Sequence, residues 1–160
     1  MIENIPFIEE YLGSVARLRI HSKPRPENWK YDGAEDFVLK EGVRFTERDF
    51  DVQQLPKRQC FDNCFRLAVR NEGLYYCEGW AMGVIPIHHA WLCDIDGRIY
   101  DPTWWGDRVS EDSYIGVPFS LEFVMEQVDK NDRAGLLFPD GHMINLDIME
   151  GRAGVIKLNV

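Results

Sequence analysis

Three side chains in the middle of the chain could act together as a thiol nucleophile. They belong to Cys60, His89 and Asp101. A cysteine attacks as its thiolate, and a free thiol with a pKa of about 8.5 is only a few per cent ionised at neutral pH. An imidazole can accept the thiol proton, and a carboxylate can fix the tautomer and the orientation of that imidazole. These residue types therefore predict a catalytic Cys-His-Asp triad that breaks or transfers acyl bonds.

Cys60 lies at the predicted start of a helix. Apolar residues recur at helical spacing from Cys60 to Arg70, and Gly73 follows as a natural stop. The unpaired amides and the positive dipole end of a helix N-terminus stabilise a thiolate. Cys64 lies one turn further along and has lost most of this benefit, so we assign it to the core. A buried apolar role is common for cysteines and is the alternative for Cys60.

His89 and Asp101 lie on neighbouring predicted strands. Strand-like runs cover residues 74–82, 85–94 and 98–104. Asp96-Gly97 marks a hairpin turn between the last two runs, and His89 and Asp101 lie at similar distances from this turn. Antiparallel pairing would bring the two side chains within reach of each other. The expected fold is α+β, with an antiparallel sheet packed against a central helix that carries Cys60 at its N-terminus.

A second histidine stands directly before His89. Side chains alternate along a strand, so His89 shares one face with Trp91 and Cys93, and His88 lies on the other face. Only one histidine of the pair can then contact Cys60. We choose His89 as the base and keep His88 as the alternative.

The motifs of this region resemble those of a known superfamily. Cys60 at a helix start, His89-Ala90-Trp91, Asp96-Gly97 and Asp101-Pro102-Thr103 look like the core of the transglutaminase-like branch of the papain-like cysteine enzymes. The resemblance covers about residues 59–105. It implies that Cys60 is the nucleophile, that His89 is its base and that Asp101 orients the histidine.

Four further residues are candidates for the site. Acyl transfer needs hydrogen-bond donors for the oxyanion, commonly the amide of the nucleophile and one side chain. Gln54 precedes Cys60 by six positions, the interval seen in papain-like proteases, and Gln59 adjoins Cys60. A solvated loop glutamine is the alternative for each. Trp104 and Trp105, near the strand end, are candidates for substrate binding.

The length of 160 residues fits a single domain over residues 1–160. We expect an N-terminal helix and loop over about 1–56, a catalytic-type core over about 57–105, and a C-terminal helical extension over about 106–160. Further predicted elements are a helix over residues 5–19, a short strand over 37–39, a helix capped by Ser120 that runs to about residue 130, and a turn at 139–141.

Charge and hydropathy exclude some classes of partner. The net charge of −9 opposes binding to nucleic acid. A basic segment over residues 17–30 is either an arm for an acidic partner or, as we prefer, a solvated surface. No apolar run reaches the length of a membrane span, and no basic leader precedes one. The four cysteines crowd the central third of the chain and are expected as free thiols, which favours the cytoplasm.

The predicted function is that of a cysteine hydrolase or acyltransferase. Within this class we favour a thiol protease or amidase over a cross-linking enzyme. Its substrate would be a peptide, a protein or a small amide or ester, and the chemistry needs no cofactor or metal. One alternative is a catalytically silent module that binds a peptide or protein in the same cleft. A less favoured alternative is a zinc protein that uses Cys60, Cys64 and His89 or His88.

Overall fold

The computed structural model describes residues 7–49, 51–104 and 114–160, which form a mixed α+β structure. The helices of these residues are α1 (Phe7–Ser22), α2 (Ala34–Glu41), α3 (Cys60–Arg70), α4 (Leu121–Asn131) and α5 (Leu146–Met149). The strands are β1 (Val43–Phe45), β2 (Arg48–Asp49), β3 (Tyr75–Met82), β4 (Pro86–Cys93), β5 (Ile99–Tyr100) and β6 (Tyr114–Phe119).

The strands form one sheet in the order β1-β6-β3-β4-β5-β2. β3 lies near the middle and pairs antiparallel with β4 along its whole length and with β6 on its other side. The β2–β5 pair is parallel, and the remaining pairs are antiparallel. β3 and β6 are buried along almost their whole length, because apolar residues cover the sheet on both faces.

Each face of the sheet has its own hydrophobic core. The helices cover one face, where Leu12, Phe37, Cys64 and Val124 pack with strand residues such as Leu92. On the other face, residues of several strands pack against one another and include Phe45, Cys77, Trp91, Ile99 and Tyr114. Neighbouring residues of β4 therefore point into different cores, and this alternation separates His88 from His89.

The predicted hairpin between the second and third strands is confirmed. Leu92 pairs with Tyr100 and Cys93 with Ile99, and Gly97 has a φ of +80° in the turn. β5 ends at Tyr100, earlier than the predicted residue 104. The reason is that Pro102 has no amide for a ladder bond, and the next two amides turn back to the Asp101 carboxylate.

The predicted strand over residues 37–39 is wrong, because these residues lie inside α2. Phe37 and Val38 are fully buried, and Ala34 lies on the same side of the helix. The spacing of these three residues is that of a helical stripe, which a run of three apolar residues concealed. The helix also buries Glu35, which accepts hydrogen bonds of 2.9 and 3.0 Å from Arg19 of α1.

The predicted C-terminal extension over about 106–160 is not wholly helical, because it contains β6, which pairs with β3 inside the sheet. Three other predicted elements agree with the structure. α1 begins at the first described residue and runs three residues past the predicted end. Ser120 caps α4 by accepting a hydrogen bond of 3.3 Å from the Phe123 amide. The turn at 139–141 is closed by a hydrogen bond of 2.9 Å from the Gly141 amide to the Phe138 carbonyl. The segment after α5 returns to the sheet, where Val155 forms a bridge with Phe119.

The basic segment over residues 17–30 lies at the surface and is partly engaged in ion pairs of the chain itself. Arg19 pairs with Glu35, Arg25 with Asp32 and Lys30 with Glu41. In the part of the chain that the structure describes, none of the helices combines the length and apolarity needed to cross a membrane.

Candidate active site

His89 and Asp101 form a buried hydrogen-bonded pair. The Nε2 atom of His89 lies 2.8 Å from Oδ2 of Asp101, and both side chains are almost completely buried. The other carboxylate oxygen, Oδ1, accepts hydrogen bonds of 3.0 Å from the amides of Thr103 and Trp104. Burial alone would raise the pKa of Asp101, but the hydrogen bonds from His89 and these amides outweigh it and hold the pKa below its usual range.

His89 lies between Asp101 and Cys60. Because Nε2 faces the carboxylate, Nδ1 is the ring nitrogen left for the thiol, and His89 and Cys60 line the same cleft. Burial disfavours the imidazolium, but the hydrogen bond with Asp101 and the interaction with Cys60 favour it more strongly and raise the pKa of His89 to about 9. The structure therefore brings together the three side chains that the sequence singled out.

Cys60 is the first residue of α3 and is half-buried at the edge of a cleft. The cleft has a volume of about 600 Å³, and His88, His89, Phe61 and Trp104 are among the residues that line it. The thiol of Cys60 is therefore part of the cleft wall.

Asn63 ties the start of α3 to the Asp101 segment. Its side-chain amide donates hydrogen bonds of 2.9 Å to the Pro56 carbonyl and 3.0 Å to the Thr103 hydroxyl. Nearby, the Leu55 amide donates a hydrogen bond of 2.7 Å to the Pro102 carbonyl. The nucleophile and the carboxylate are thus held together by bonds that sequence reasoning did not find, because an asparagine in a helical first turn gives no signal of its distant partner.

Tyr114 and Arg48 extend the hydrogen-bonded chain behind Asp101. The Tyr114 hydroxyl donates a hydrogen bond of 2.8 Å to Oδ2 of Asp101 and accepts one of 3.1 Å from Arg48. Burial, together with the Asp101 charge, raises the pKa of Tyr114 well above its usual range, so the phenol remains a donor. Arg48 also donates to the Trp104 carbonyl. Both residues come from distant strands, and no local pattern predicts that they meet here.

The two glutamines proposed for the oxyanion lie outside the described lining of the cleft. The side-chain amide of Gln54 donates to the backbone carbonyls of Val52, at 3.2 Å, and Asp101, at 3.3 Å. Gln59 is exposed at the N-cap position of α3, and its side chain makes no capping hydrogen bond. Gln54 therefore contacts the backbone of Asp101. The side chain of Gln59 does not cap the amides at the start of α3.

Trp104 lines the cleft, as the substrate-binding prediction requires. Its ring meets the His89 ring edge to face, with 5.3 Å between the centroids. Trp105, the second candidate for substrate binding, lies outside the described residues.

His88 has a carboxylate partner of its own, Glu78 of β3. Nε2 of His88 lies 2.8 Å from Oε1 of Glu78, which is completely buried. Burial would raise the pKa of Glu78, but hydrogen bonds from His88 and from the Leu136 and Leu137 amides hold it below its usual range. Sequence reasoning missed Glu78, although a single acidic residue inside a predicted buried strand was a usable signal.

Cys64 is fully buried one turn along α3, and burial raises the pKa of its thiol well above the usual range. This agrees with its assignment to the core. In the described ranges, no three His, Cys, Asp or Glu side chains are grouped so that they could hold a metal ion. The zinc alternative built on Cys60, Cys64 and a histidine therefore gains no support from these residues.

Comparisons with protein-family models, curated proteins and solved structures found no match for the chain. The case for a function therefore depends on the geometry of the cleft.

Proposed function

We propose that the protein is a thiol-dependent acyl hydrolase or acyltransferase of transglutaminase-like or papain-like type. The observation that carries the proposal is the buried His89–Asp101 hydrogen bond in the wall of a cleft that Cys60 also lines. His89 has a buried carboxylate at one ring nitrogen and shares the lining of the cleft with the half-buried thiol of Cys60. This is the arrangement that activates a thiol for attack.

Two features of the site favour a thiolate paired with an imidazolium. The raised pKa of His89 makes its neutral ring a strong enough base to take the proton of Cys60 and to hold it near neutral pH. The first helical hydrogen bond of α3 runs from the Asn63 amide to the Gln59 carbonyl, at 2.8 Å. The amides before Asn63 therefore take no part in the hydrogen bonds within the helix. Those amides and the helix dipole would stabilise negative charge at Cys60.

In the proposed reaction, Sγ of Cys60 attacks the carbonyl carbon of an amide, ester or thioester. The charge that develops on the oxygen is stabilised by amides at the start of α3. His89 gives its proton to the leaving nitrogen, oxygen or sulfur as the bond to carbon breaks, and an acyl thioester remains. Water then attacks this thioester and loses its proton to His89, or an amine attacks instead. The C–S bond breaks, and its electron pair returns to Cys60.

The cleft also suggests which substrates fit. Its walls include the apolar side chains of Phe61, Ile87 and Trp104, so it suits an acyl group with an apolar portion. We propose a peptide, a protein side chain or a small amide or ester as the acyl donor.

Competitive labelling with iodoacetamide tests the proposal. The other three cysteines, Cys64, Cys77 and Cys93, are completely buried and serve as internal controls in the folded protein. We expect the folded protein to be carboxamidomethylated at Cys60 at near-neutral pH, faster than a free thiol, and a His89→Gln variant to react more slowly. Cys60→Ala should abolish turnover of acyl probes. Labelling of Cys60 at the rate of a free thiol, with no turnover, would instead favour a silent binding module.

A further inference from the structure

Two basic side chains line the cleft where the chain approaches Cys60. Lys57 and Arg58 form an exposed turn directly before Gln59 and the start of α3, and both belong to the lining of the cleft. None of the described lining residues is an aspartate or a glutamate. The described cleft wall therefore carries positive charge, although the chain as a whole has a net charge of −9. Positive charge in a cleft raises the local concentration of negatively charged substrates.

Hydrogen bonds hold the backbone on both sides of this turn. Before it, the Leu55 amide donates a hydrogen bond of 2.7 Å to the Pro102 carbonyl, and the Pro56 carbonyl accepts one of 2.9 Å from the Asn63 side chain. After it, the Gln59 carbonyl accepts the first helical hydrogen bond of α3. The two cations are thus attached to a backbone that is bonded to α3 and to the chain after β5, which fixes the place of the turn beside the cleft.

The backbone of Arg58 has a conformation that arginine rarely adopts. Its φ is +64°, in the left-handed region, and the only other non-glycine residue with a positive φ in the described ranges is Asp132 at the C-cap of α4. Aspartate tolerates this region better because its short side chain can hydrogen-bond locally, and glycine adopts it without a steric penalty. The turn itself therefore does not explain an arginine at this position. Strained residues cluster at functional sites, and this one lines the cleft.

We propose that Lys57 and Arg58 select acyl donors that carry a carboxylate or another negatively charged group. This inference rests on the proposed function and narrows its substrate class. The guanidinium of Arg58 can donate two parallel hydrogen bonds to a carboxylate, and the ammonium of Lys57 adds a second positive charge. Phe61 and Trp104 in the same cleft supply apolar contacts for the uncharged part of the donor. Both cations are exposed, so salt should weaken the selection.

Two pairs of esters test the selection, and the members of each pair differ by one negative charge. The first pair is 4-nitrophenyl hydrogen adipate and 4-nitrophenyl methyl adipate, with the charge in the acyl group. The second pair is 4-butyryloxybenzoate and its methyl ester, with the charge in the leaving group. For each pair we measure the ratio of kcat/KM for the charged ester to kcat/KM for the neutral ester, in wild type, Lys57→Gln, Arg58→Gln and Arg58→Gly. Arg70→Gln is the matched control, because Arg70 is an exposed arginine at the other end of α3 and lies outside the described cleft lining.

We expect both Arg58 variants to lower this ratio by about fivefold for at least one pair, Lys57→Gln to lower it by about threefold, and Arg70→Gln to keep the wild-type ratio. Raising NaCl should lower the wild-type ratio more than that of Arg58→Gln. Arg58→Gly should not lower the unfolding temperature, because glycine fits the left-handed backbone, so its lost selection would not come from a damaged fold.

Two results would contradict the inference in different ways. Ratios that stay unchanged in the Arg58 variants for both pairs, or that fall equally in Arg70→Gln, would overturn the selection of charged donors. Turnover that disappears in Cys60→Ala would in that case still support the proposed function. A wild-type protein that turns over none of the four esters through Cys60 would refute the proposed function and this inference together.

Discussion

At the scale of single residues, the site depends on Asp101 being a carboxylate and not only a hydrogen-bonding group. Its Oδ1 atom faces two amide donors, and its Oδ2 atom faces His89 and the Tyr114 hydroxyl. All four groups donate hydrogen bonds, so both side-chain oxygens of Asp101 must act as acceptors. The carboxylate therefore sets the His89 tautomer with its proton on Nε2, which leaves Nδ1 able to accept the proton of Cys60.

The Asp101→Asn substitution tests this argument. The asparagine oxygen must stay with the Thr103 and Trp104 amides, so its NH2 group faces His89 and forces the proton of the neutral ring onto Nδ1. We expect kcat/KM for an acyl probe to fall by about 10²- to 10⁴-fold, with the fold retained. Tyr114→Phe removes one donor but keeps the carboxylate, and its activity should stay within about fivefold of wild type. Similar activities for the two variants would contradict the argument.

The raised pKa of His89 also predicts how stability depends on pH. Because the folded state holds this proton up to a pKa of about 9, against a usual value of about 6.5, the contribution to stability is complete below pH 6.5 and is lost as the pH rises through 9. The difference corresponds to ~3 kcal/mol. Urea unfolding at pH 6.5 and 9.5 should show a larger fall for wild type than for His89→Gln. Parallel pH profiles for the two proteins would refute this prediction.

At the scale of secondary-structure elements, the site lies where the start of α3 meets the chain that leaves β5. The Asp101 turn ends the β4–β5 ladder and places Thr103 against Asn63 of α3. The sequence allowed the hairpin and α3 to be predicted, because a turn motif and a helical period are local patterns. It did not predict this contact, since the hydrogen bonds of Asn63 join residues that are distant in the chain.

Asn63→Ala should loosen this contact. It leaves the Pro56 carbonyl and the buried Thr103 hydroxyl without their donor, and we expect it to cost about 1–3 kcal/mol of unfolding free energy and to slow alkylation of Cys60. Asn71→Ala is a matched control at the other end of α3, because Asn71 is exposed and its side-chain amide donates to the Leu67 carbonyl of the same helix. If both variants slow the alkylation of Cys60 equally, the contact does not position the nucleophile.

At the scale of the whole molecule, sheet topology is the feature that sequence patterns could not supply. Local periodicity located β3, β4, α3 and α4. The insertion of β6 between β1 and β3 depends on pairing across long stretches of chain, and no local signal encodes it. The same pairing brings Tyr114 to Asp101. The helix α2 is short and has few buried apolar residues. Their spacing in the sequence therefore did not distinguish a helix from a strand.

The packing of β3 against β6 gives a test at this scale. Gly79 pairs with Gly116, and a Cβ atom added at Gly116 would lie 2.5 Å from the Trp91 ring. We expect Gly116→Ala to cost about 1–3 kcal/mol of unfolding free energy through overpacking. Gly13→Ala, in α1 with only the end of the flexible Arg17 side chain within 4 Å of the added atom, should instead stabilise by about 0.5–1 kcal/mol. Equal thermal shifts of the two variants would contradict the described register.

The central claim, that Cys60 forms an acyl-enzyme with help from His89, is tested most directly by intact-protein and peptide mass spectrometry. Wild type, Cys60→Ala and His89→Gln are mixed with an activated ester and quenched in acid within seconds. We predict one added acyl group on Cys60 in wild type, none in Cys60→Ala, and acylation at least about 10²-fold slower in His89→Gln. Acylation of another residue, or equal rates in wild type and His89→Gln, would contradict the account.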